Sequence, residues 1–316
     1  MSEELIHSQI PHVLQNTNFT FLGEKYEGKV RDSYIAGDRR FLITTDRLSC
    51  FDVVVACVPF KGQVLNELAV HWFELAKDIM PNHILSCPDP NVMVVRNCEI
   101  LPVEVIVRGY ITGSAWRDYE AGKKISGIQL PQGLRPNEQL AEPILTPSTK
   151  AERGEHDEPI AESEILSRGI VDEALWKQVR EKAFALFALG QQKASEQGLI
   201  LVDTKYEFGL IDGELILADE IHTLDSSRYW VADSYQERFE AGESPVMLDK
   251  EPTRQWLLSQ GYKGEGEIPA FTEDHLVSLS RHYMDSFEQI AGKSFTPFGG
   301  DVRARIENNL REYLES

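Results

Sequence analysis

Two rhythms of apolar residues run along the chain and divide it into strand-rich and helix-rich parts. Residues 19–58 read as strands, with short β-rich runs at Phe41-Leu42-Ile43 and Val53-Val54-Val55 and turn signals at Gly37-Asp38 and near Asp46. Over 63–79 the rhythm changes to helical spacing, with Val64, Leu65, Leu68, Trp72 and Leu75 on one side. Pro81, Pro88 and Pro90 interrupt the chain after it. Strands resume at Val92 to Val95 and Val103 to Val107. The stretch 131–159 has almost no periodic apolar pattern and holds Pro131, Pro136, Pro143, Pro147 and Pro159, so it reads as a long functional or disordered loop. A helix from about Asp172 carries Trp176, Val179, Ala183, Leu186 and Phe187 on one face and stops near Gly198. Leu199-Ile200-Leu201-Val202 is a buried strand, and Phe208 to Asp219 forms a hairpin around Asp212-Gly213. The rest is mostly helical, including Glu273 to Ile290 and Val302 to Leu314. Strands first, then a mixture, then helices indicates α+β rather than a strict βαβ repeat.

Composition narrows the class. The chain has 316 residues, 42% hydrophobic and 26% charged, enough apolar material to exclude a disordered polypeptide. Its length suggests two domains or one large one. A formal charge of −19 argues against nucleic acid as the main ligand, since phosphate backbones require a basic field. A small anionic substrate held by a few local Arg and Lys is still compatible with it. Cys50, Cys57, Cys87 and Cys98 form neither a C-x-x-C pair nor a zinc spacing and read as reduced, mostly buried residues. The acidic start Met1-Ser2-Glu3-Glu4 lacks the features of a signal peptide, and no apolar run approaches a membrane helix, so a cytoplasmic protein is expected. Neither common nucleotide loop is present. Gly292-Lys293-Ser294 ends like a Walker A loop, but Phe287 stands at the position of its first glycine. Gly264-Glu265-Gly266 opens like a dinucleotide fingerprint, but Pro269 replaces its third.

The strongest chemical signal is Asp203-Thr204-Lys205-Tyr206-Glu207-Phe208-Gly209. Alternation in an extended segment puts Asp203, Lys205 and Glu207 on one face. That face fits either solvated ion pairs or a site for a cation and a phosphate. If the turn after it were longer than two residues, or bulged, Glu207 would lie directly opposite Asp219. Two opposed carboxylates would then share Mg²⁺, and this register is expected. In the run Val103 to Ser114, Arg108 ends an apolar strand before Gly109 and Gly113, and Arg108 with Ser114 supplies donors suited to phosphate. Gly28-Lys29-Val30-Arg31-Asp32 fits an exposed hairpin or a phosphate contact. The turn Thr45 to Asp52, the charged run Ser148 to Asp157 and the turn Asp225 to Trp230 are also candidate polar sites, and each equally fits an ordinary loop.

Taken together, these six segments closely resemble the SAICAR synthetase (phosphoribosylaminoimidazole-succinocarboxamide synthase) family, over about residues 25 to 230. Two of them, Leu101 to Ser114 and Leu201 to Gly209, look like its signatures, and the run Thr146 to Asp157 looks like its longer, fungal-type branch. The resemblance implies an ATP-dependent carbon–nitrogen ligase of purine biosynthesis. It joins L-aspartate to the carboxylate of a carboxyaminoimidazole ribonucleotide, giving SAICAR, ADP and phosphate through an acyl phosphate. The implied cofactors are ATP and Mg²⁺; the implied partners are these small molecules, with no nucleic acid and no membrane, in a monomer or small homo-oligomer. The implied fold is two-lobed and nucleotide-binding, akin to ATP-grasp enzymes and protein kinases. It has an antiparallel N-terminal sheet lobe, 1–100, a larger α+β lobe, 101–316, and the active site between them.

The resemblance also implies roles. Lys29 and Arg31 contact ATP phosphates, and Ile100 to Pro102 borders the adenine. Glu207 and Asp219 bind Mg²⁺. Arg108, Ser114 and Arg228 hold the ribonucleotide's 5′-phosphate. Ser49 and Asp52, with catalytic Asp203 and Lys205, face the imidazole carboxylate and its cations. Lys150 on the ATP side and His156 and Asp157 on the substrate side close over the site. A small-molecule kinase and a non-catalytic nucleotide-binding regulator are the alternatives, separable by the need for aspartate and for Lys205.

Overall fold

The computed structural model describes residues 2–150 and 157–316. The chain divides into two compact units, one of residues 1–71, 83–97 and 248–316, the other of residues 72–82 and 98–247. A change of unit at Asn97/Cys98 lies close to the expected boundary at residue 100. The expected assignment of everything beyond it to one lobe does not describe this division, because residues 248–316 belong with the N-terminal sheet. Nothing in the local pattern of those helices signals which sheet they cover; non-local packing decides it.

In the first unit an antiparallel sheet runs in the order Glu24–Glu27, Arg31–Ala36, Arg39–Thr44, Val92–Arg96, Ile84–Asp89. Tyr34, Phe41 and Val94 on its buried face pack with Val302, Ile306 and Leu310 of the helix Val302–Glu315. The helix Lys61–Ala76 begins two residues earlier than its apolar rhythm predicts. A separate hairpin pairs Arg47–Cys50 with Val53–Cys57. Only Cys50 is buried, whereas Cys57 and Cys98 are half-buried and Cys87 is exposed, so the expectation of mostly buried cysteines fails.

The second unit is built on the strand Leu199–Ile211, which is 13 residues long and pairs with Val103–Tyr110 on one side. On its other side it pairs with Ser227–Val231 at one end and Glu214–Ala218 at the other. The stretch 131–159 is not wholly a loop, since Gln139–Leu145 and Ser148–Thr149 add to the sheet along Val103–Tyr110. A register shift between Gln139 and Ile144 hides this edge strand from any period-2 pattern. The helix Glu173–Glu196 is capped by the Asp172 carboxylate on the Leu175 amide at 2.9 Å, and its Ala183, Leu186 and Phe187 are buried. Gly198, at φ 68°, reverses the chain into the long strand.

Candidate active site

Alternation in two neighbouring strands builds a charged sheet face. In Val103–Tyr110, Val103, Val105 and Val107 are buried at 1% exposure or less, leaving Glu104, Ile106 and Arg108 for the opposite face. In Leu199–Ile211, Asp203, Lys205 and Glu207 share that face. The antiparallel register aligns Asp203 with Arg108 and Lys205 with Ile106. On the far side, a register shift after Leu201 aligns Asp203 with Arg228. Asp203 therefore lies between two arginines from adjacent strands.

Both guanidiniums converge on a single oxygen. Asp203 Oδ2 accepts from Arg108 Nη1 at 2.8 Å and from Arg228 Nη1 at 2.5 Å. Arg108 also donates from Nε to Thr146 Oγ1 at 2.9 Å and from Nη2 to Ser114 Oγ at 3.5 Å. Burial pulls the Arg108 pKa below its usual value while Asp203 resists that fall. Ser114 stands in the first turn of the helix Gly113–Glu120, whose preceding residue Thr112 provides no side-chain cap. A helix start without a side-chain cap suits an anion at its first amides. Gly113 suits this position: its φ is +58°, and a Cβ, 2.5 Å from Arg228 Nη2, would displace that guanidinium. A cavity of about 260 Å³ opens at this end, lined by Arg108, Ser114, Thr146, Ser148, Asp118 and Asp157.

The other end of the face gathers carboxylates around ammonium groups. Lys205 Nζ donates to Glu104 Oε1 at 2.5 Å and to Glu207 Oε1 at 3.2 Å, and Lys150 bonds Glu207 Oε2. Burial acts to lower the Lys205 pKa, but the carboxylates of Glu207, Glu104 and Asp219 outweigh it and hold the ammonium above its ordinary range. Burial raises the Glu104 carboxyl despite its contact with Lys205. The reverse face of the same strand is anchored by Tyr206, whose hydroxyl lies 2.6 Å from His222 Nε2. Burial drives that imidazole down to about 3, so it stays neutral.

The expected register does not form. Glu207 pairs with Ala218 and Ile211 with Glu214, so Asp212-Gly213 is a two-residue turn and Glu207 is not opposite Asp219. Asp212 adopts φ 52° and Gly213 φ 81°, the left-handed pair that a tight hairpin needs. Asp219 leaves the ladder at φ 66°, breaking the strand's alternation, and its charge still reaches Lys205. The acidic grouping thus arises by a different route from the one predicted.

The structure brings together Arg108, Ser114, Asp203 and Arg228 at one end, and Lys150, Lys205, Glu207 and the field of Asp219 at the other. Exposed Asp157 lines the cavity and acts electrostatically on Glu104. His156 lies outside the described residues. Ile100, half-buried, pairs with Gly209 at the edge of the long strand. Lys29, Arg31, Ser49 and Asp52 belong to the first unit. There Lys29 Nζ meets Asp52 Oδ1 at 2.5 Å, Ser49 is buried opposite Val54, and Arg31 is half-buried opposite Thr44. Sequence reasoning missed Glu104, although a lone acid alternating with Val103 and Val105 marked it for Arg108's face. It also missed Arg47, which holds the Gly28 and Lys29 carbonyls at 2.9 Å each while bonding buried Asp32.

No group of three or more His, Cys, Asp or Glu suited to an ion occurs among the described residues. Mg²⁺ commonly takes only one or two carboxylates and completes its shell with water and phosphate oxygens. Glu207, with Asp219 nearby, offers that hard-oxygen set, and the Lys150 ammonium already marks Glu207 Oε2 as a cation position. The donor chemistry fits Mg²⁺.

A face with paired guanidiniums at one end and carboxylates with ammoniums at the other, on an α+β fold, suits a protein that handles phosphate-bearing small molecules. Comparison with known proteins narrows the class. The SAICAR synthetase family model matches residues 24–269. The phosphoribosylaminoimidazole-succinocarboxamide synthase of Bacteroides thetaiotaomicron is 47% identical over 309 residues, covering 95% of this chain and 98% of its own. The Legionella pneumophila (strain Lens) protein of the same name is 45% identical over 315 residues, covering 96% and 100%. SAICAR synthase from Saccharomyces cerevisiae, solved in complex with SAICAR, superposes with a TM-score of 0.80 at 32% identity, covering 90% of this chain and 99% of that one. A Type-2 SAICAR synthetase in complex with ADP gives a TM-score of 0.67 at 26% identity, covering 86% and 100%. The chain belongs to the SAICAR synthetase family.

Proposed function

We propose that the protein joins L-aspartate to the carboxylate of 5-amino-1-(5-phospho-D-ribosyl)imidazole-4-carboxylate, consuming ATP and releasing SAICAR, ADP and phosphate. The observation that carries this reading is the single sheet face on which Arg108–Asp203–Arg228 adjoins Glu104–Lys205–Glu207, in a chain of this family. Arg108, Arg228, Ser114 and the first amides of the helix Gly113–Glu120 bind the 5′-phosphate, with Asp203 fixing both guanidiniums before substrate arrives. Preorganised donors of this kind avoid an ordering cost on binding.

A carboxylate is a poor electrophile, so the substrate is activated as an acyl phosphate that the aspartate amine attacks. Lys205 and Lys150 hold the γ-phosphoryl group and neutralise its charge as it approaches the substrate carboxylate. Glu207 and Asp219 would hold Mg²⁺, which supplies further neutralisation of phosphate charge when bound. Lys29 and Arg31 are assigned to ATP phosphates, Ile100 to the adenine, and Ser49 and Asp52 to the imidazole carboxylate. His156 and Asp157 are assigned to closing over the substrate. No protein nucleophile is required, and catalysis rests on positioning. Among the described residues no helix is long and apolar enough to cross a membrane. We place the protein in the cytoplasm, without nucleic-acid or membrane partners, as a monomer or small homo-oligomer.

The test is coupled ADP release with the ribonucleotide, with and without L-aspartate. Stoichiometric ADP and SAICAR only with both substrates supports the ligase. Sustained ADP release without aspartate, accompanied by a stable phosphorylated product, identifies a kinase instead.

A further inference from the structure

Within the first unit, the reversal between Arg47–Cys50 and Val53–Cys57 is made by Phe51 at φ 53° and Asp52 at φ 63°. Two successive left-handed residues favour Asn-Gly, and neither Phe nor Asp relieves the steric cost as glycine does. Such a turn persists only where its surroundings over-determine it.

Those surroundings come from a segment some 200 residues away in sequence, to which the sequence assigned no role. The Phe51 ring meets Tyr262 edge-on, with centroids 6.0 Å apart at 72°. The Arg254 guanidinium lies 5.0 Å over the same ring. Gly264 approaches so closely that a Cβ on it would stand 2.9 Å from Phe51 Cβ, and its φ of +102° independently calls for glycine. Tyr262 is buried, and its amide donates to Leu257 of the helix Glu251–Ser259 at 2.9 Å, which ties the loop to that helix. On the other side of the turn Asp52 grips Lys29. Arg47 of the same hairpin holds the carbonyls of Gly28 and Lys29. Phe51 is therefore the fixed post of the turn that carries Asp52, and through Asp52 it bears on Lys29.

We propose that Arg254, Tyr262 and Gly264 form a socket for Phe51, making Phe51 a positioning residue that holds Asp52 and Lys29 in their working orientation. This deepens the proposed function and rests on its assignment of Asp52 to the ribonucleotide. The socket replaces intrinsic turn preference with packing, so loss of the aromatic wedge frees the reversal to relax.

The experiment compares Phe51→Ala, Phe51→Asn, Arg254→Met and Asp52→Asn in the full chain. It measures KM for the ribonucleotide, kcat, Tm, and hydrogen exchange over residues 47–57 without ligands. Phe51→Ala is expected to raise KM about tenfold while kcat changes much less, since misplacement of a binding group can cost that or more. Hairpin exchange accelerates in parallel. Phe51→Asn also loses the wedge, but asparagine tolerates the left-handed region, so it loses less Tm than Phe51→Ala and KM recovers. Arg254→Met, milder and on a half-buried helix face, moves KM and exchange in the same direction if Phe51→Ala fails to fold. Wild-type KM and exchange in Phe51→Ala, or Phe51→Asn no better than Phe51→Ala, overturns the proposal. Wild-type KM in Asp52→Asn overturns instead the substrate assignment beneath it, while hairpin exchange in Phe51→Ala still reports on the socket itself.

Discussion

Replacing Lys205 by methionine removes one ammonium and keeps the length of its stem. In the structure that ammonium is 2.5 Å from Glu104 Oε1 and 3.2 Å from Glu207 Oε1, with Asp219 adding to the same field. Removing one member of a fully buried ion pair costs about 3–5 kcal/mol, because the other charge is left unpaired. The Lys205 side chain is 31% exposed, and Lys150 still serves Glu207, so screening lowers the loss to about 2 kcal/mol. For a chain of this size that is a fall in Tm of a few degrees. The catalytic effect is larger. Loss of one preorganised donor to developing charge costs about 10²–10³ in kcat, or about 2.7–4 kcal/mol. Lys205→Arg keeps the charge but not the compact geometry, so Tm returns while kcat recovers only in part. The assay is ADP release at saturating ATP, ribonucleotide and aspartate, well below the Tm of each variant. A kcat for Lys205→Met within about threefold of wild type would refute the charge-stabilising role derived from this geometry.

Arg228→Ala removes one guanidinium from the phosphate end. One charge-assisted hydrogen bond is worth about 1.5–3 kcal/mol, so KM for the ribonucleotide rises roughly 10- to 150-fold, with KM for ATP little changed in steady-state kinetics. Glu207→Gln shifts the magnesium dependence of the rate to concentrations about tenfold higher or more, read by titrating rate against Mg²⁺ at fixed ATP. Asp46, buried and accepting the Leu14 and Gly62 amides, is raised by burial from 3.8 to about 6. A carboxyl raised on folding contributes stability that is present below its unfolded pKa and lost as pH rises through the folded one. Between pH 4 and 6 wild type therefore loses about 2 kcal/mol relative to Asp46→Asn in denaturant melts, and parallel pH profiles would contradict this.

The elements most legible in the sequence were those governed by local rhythm. Trp176 to Phe187 announced a helix, and Asp203, Lys205 and Glu207 announced a shared strand face, because both signals repeat within one element. The convergence of Arg108 and Arg228 on Asp203 was not legible from spacing. It depends on pairing between positions 95 and 25 residues apart and on a register shift after Leu201. The Glu207–Asp219 register was misread because the expectation needed a longer or bulged turn, whereas Asp212-Gly213 closes the hairpin in two residues and sets Glu207 opposite Ala218. The strand Gln139–Leu145 escaped notice because Pro143 and a register shift erase the period-2 pattern. Glu104 was within reach: an acid in an otherwise apolar strand, four residues before Arg108, had to face the same way.

The first unit takes its residues from both halves of the chain, with Ile306 and Leu310 seated against the strands that hold Phe41 and Val94. During ribosomal synthesis, made N-terminus first, those strands emerge long before the helix that covers them. An apolar sheet face thus waits, open to self-association, until the helix Val302–Glu315 has been made and can cover it. A chain truncated before Val302 would carry every charged group of the sheet face at Asp203 yet be prone to aggregate, so the yield of native protein depends on completing that helix.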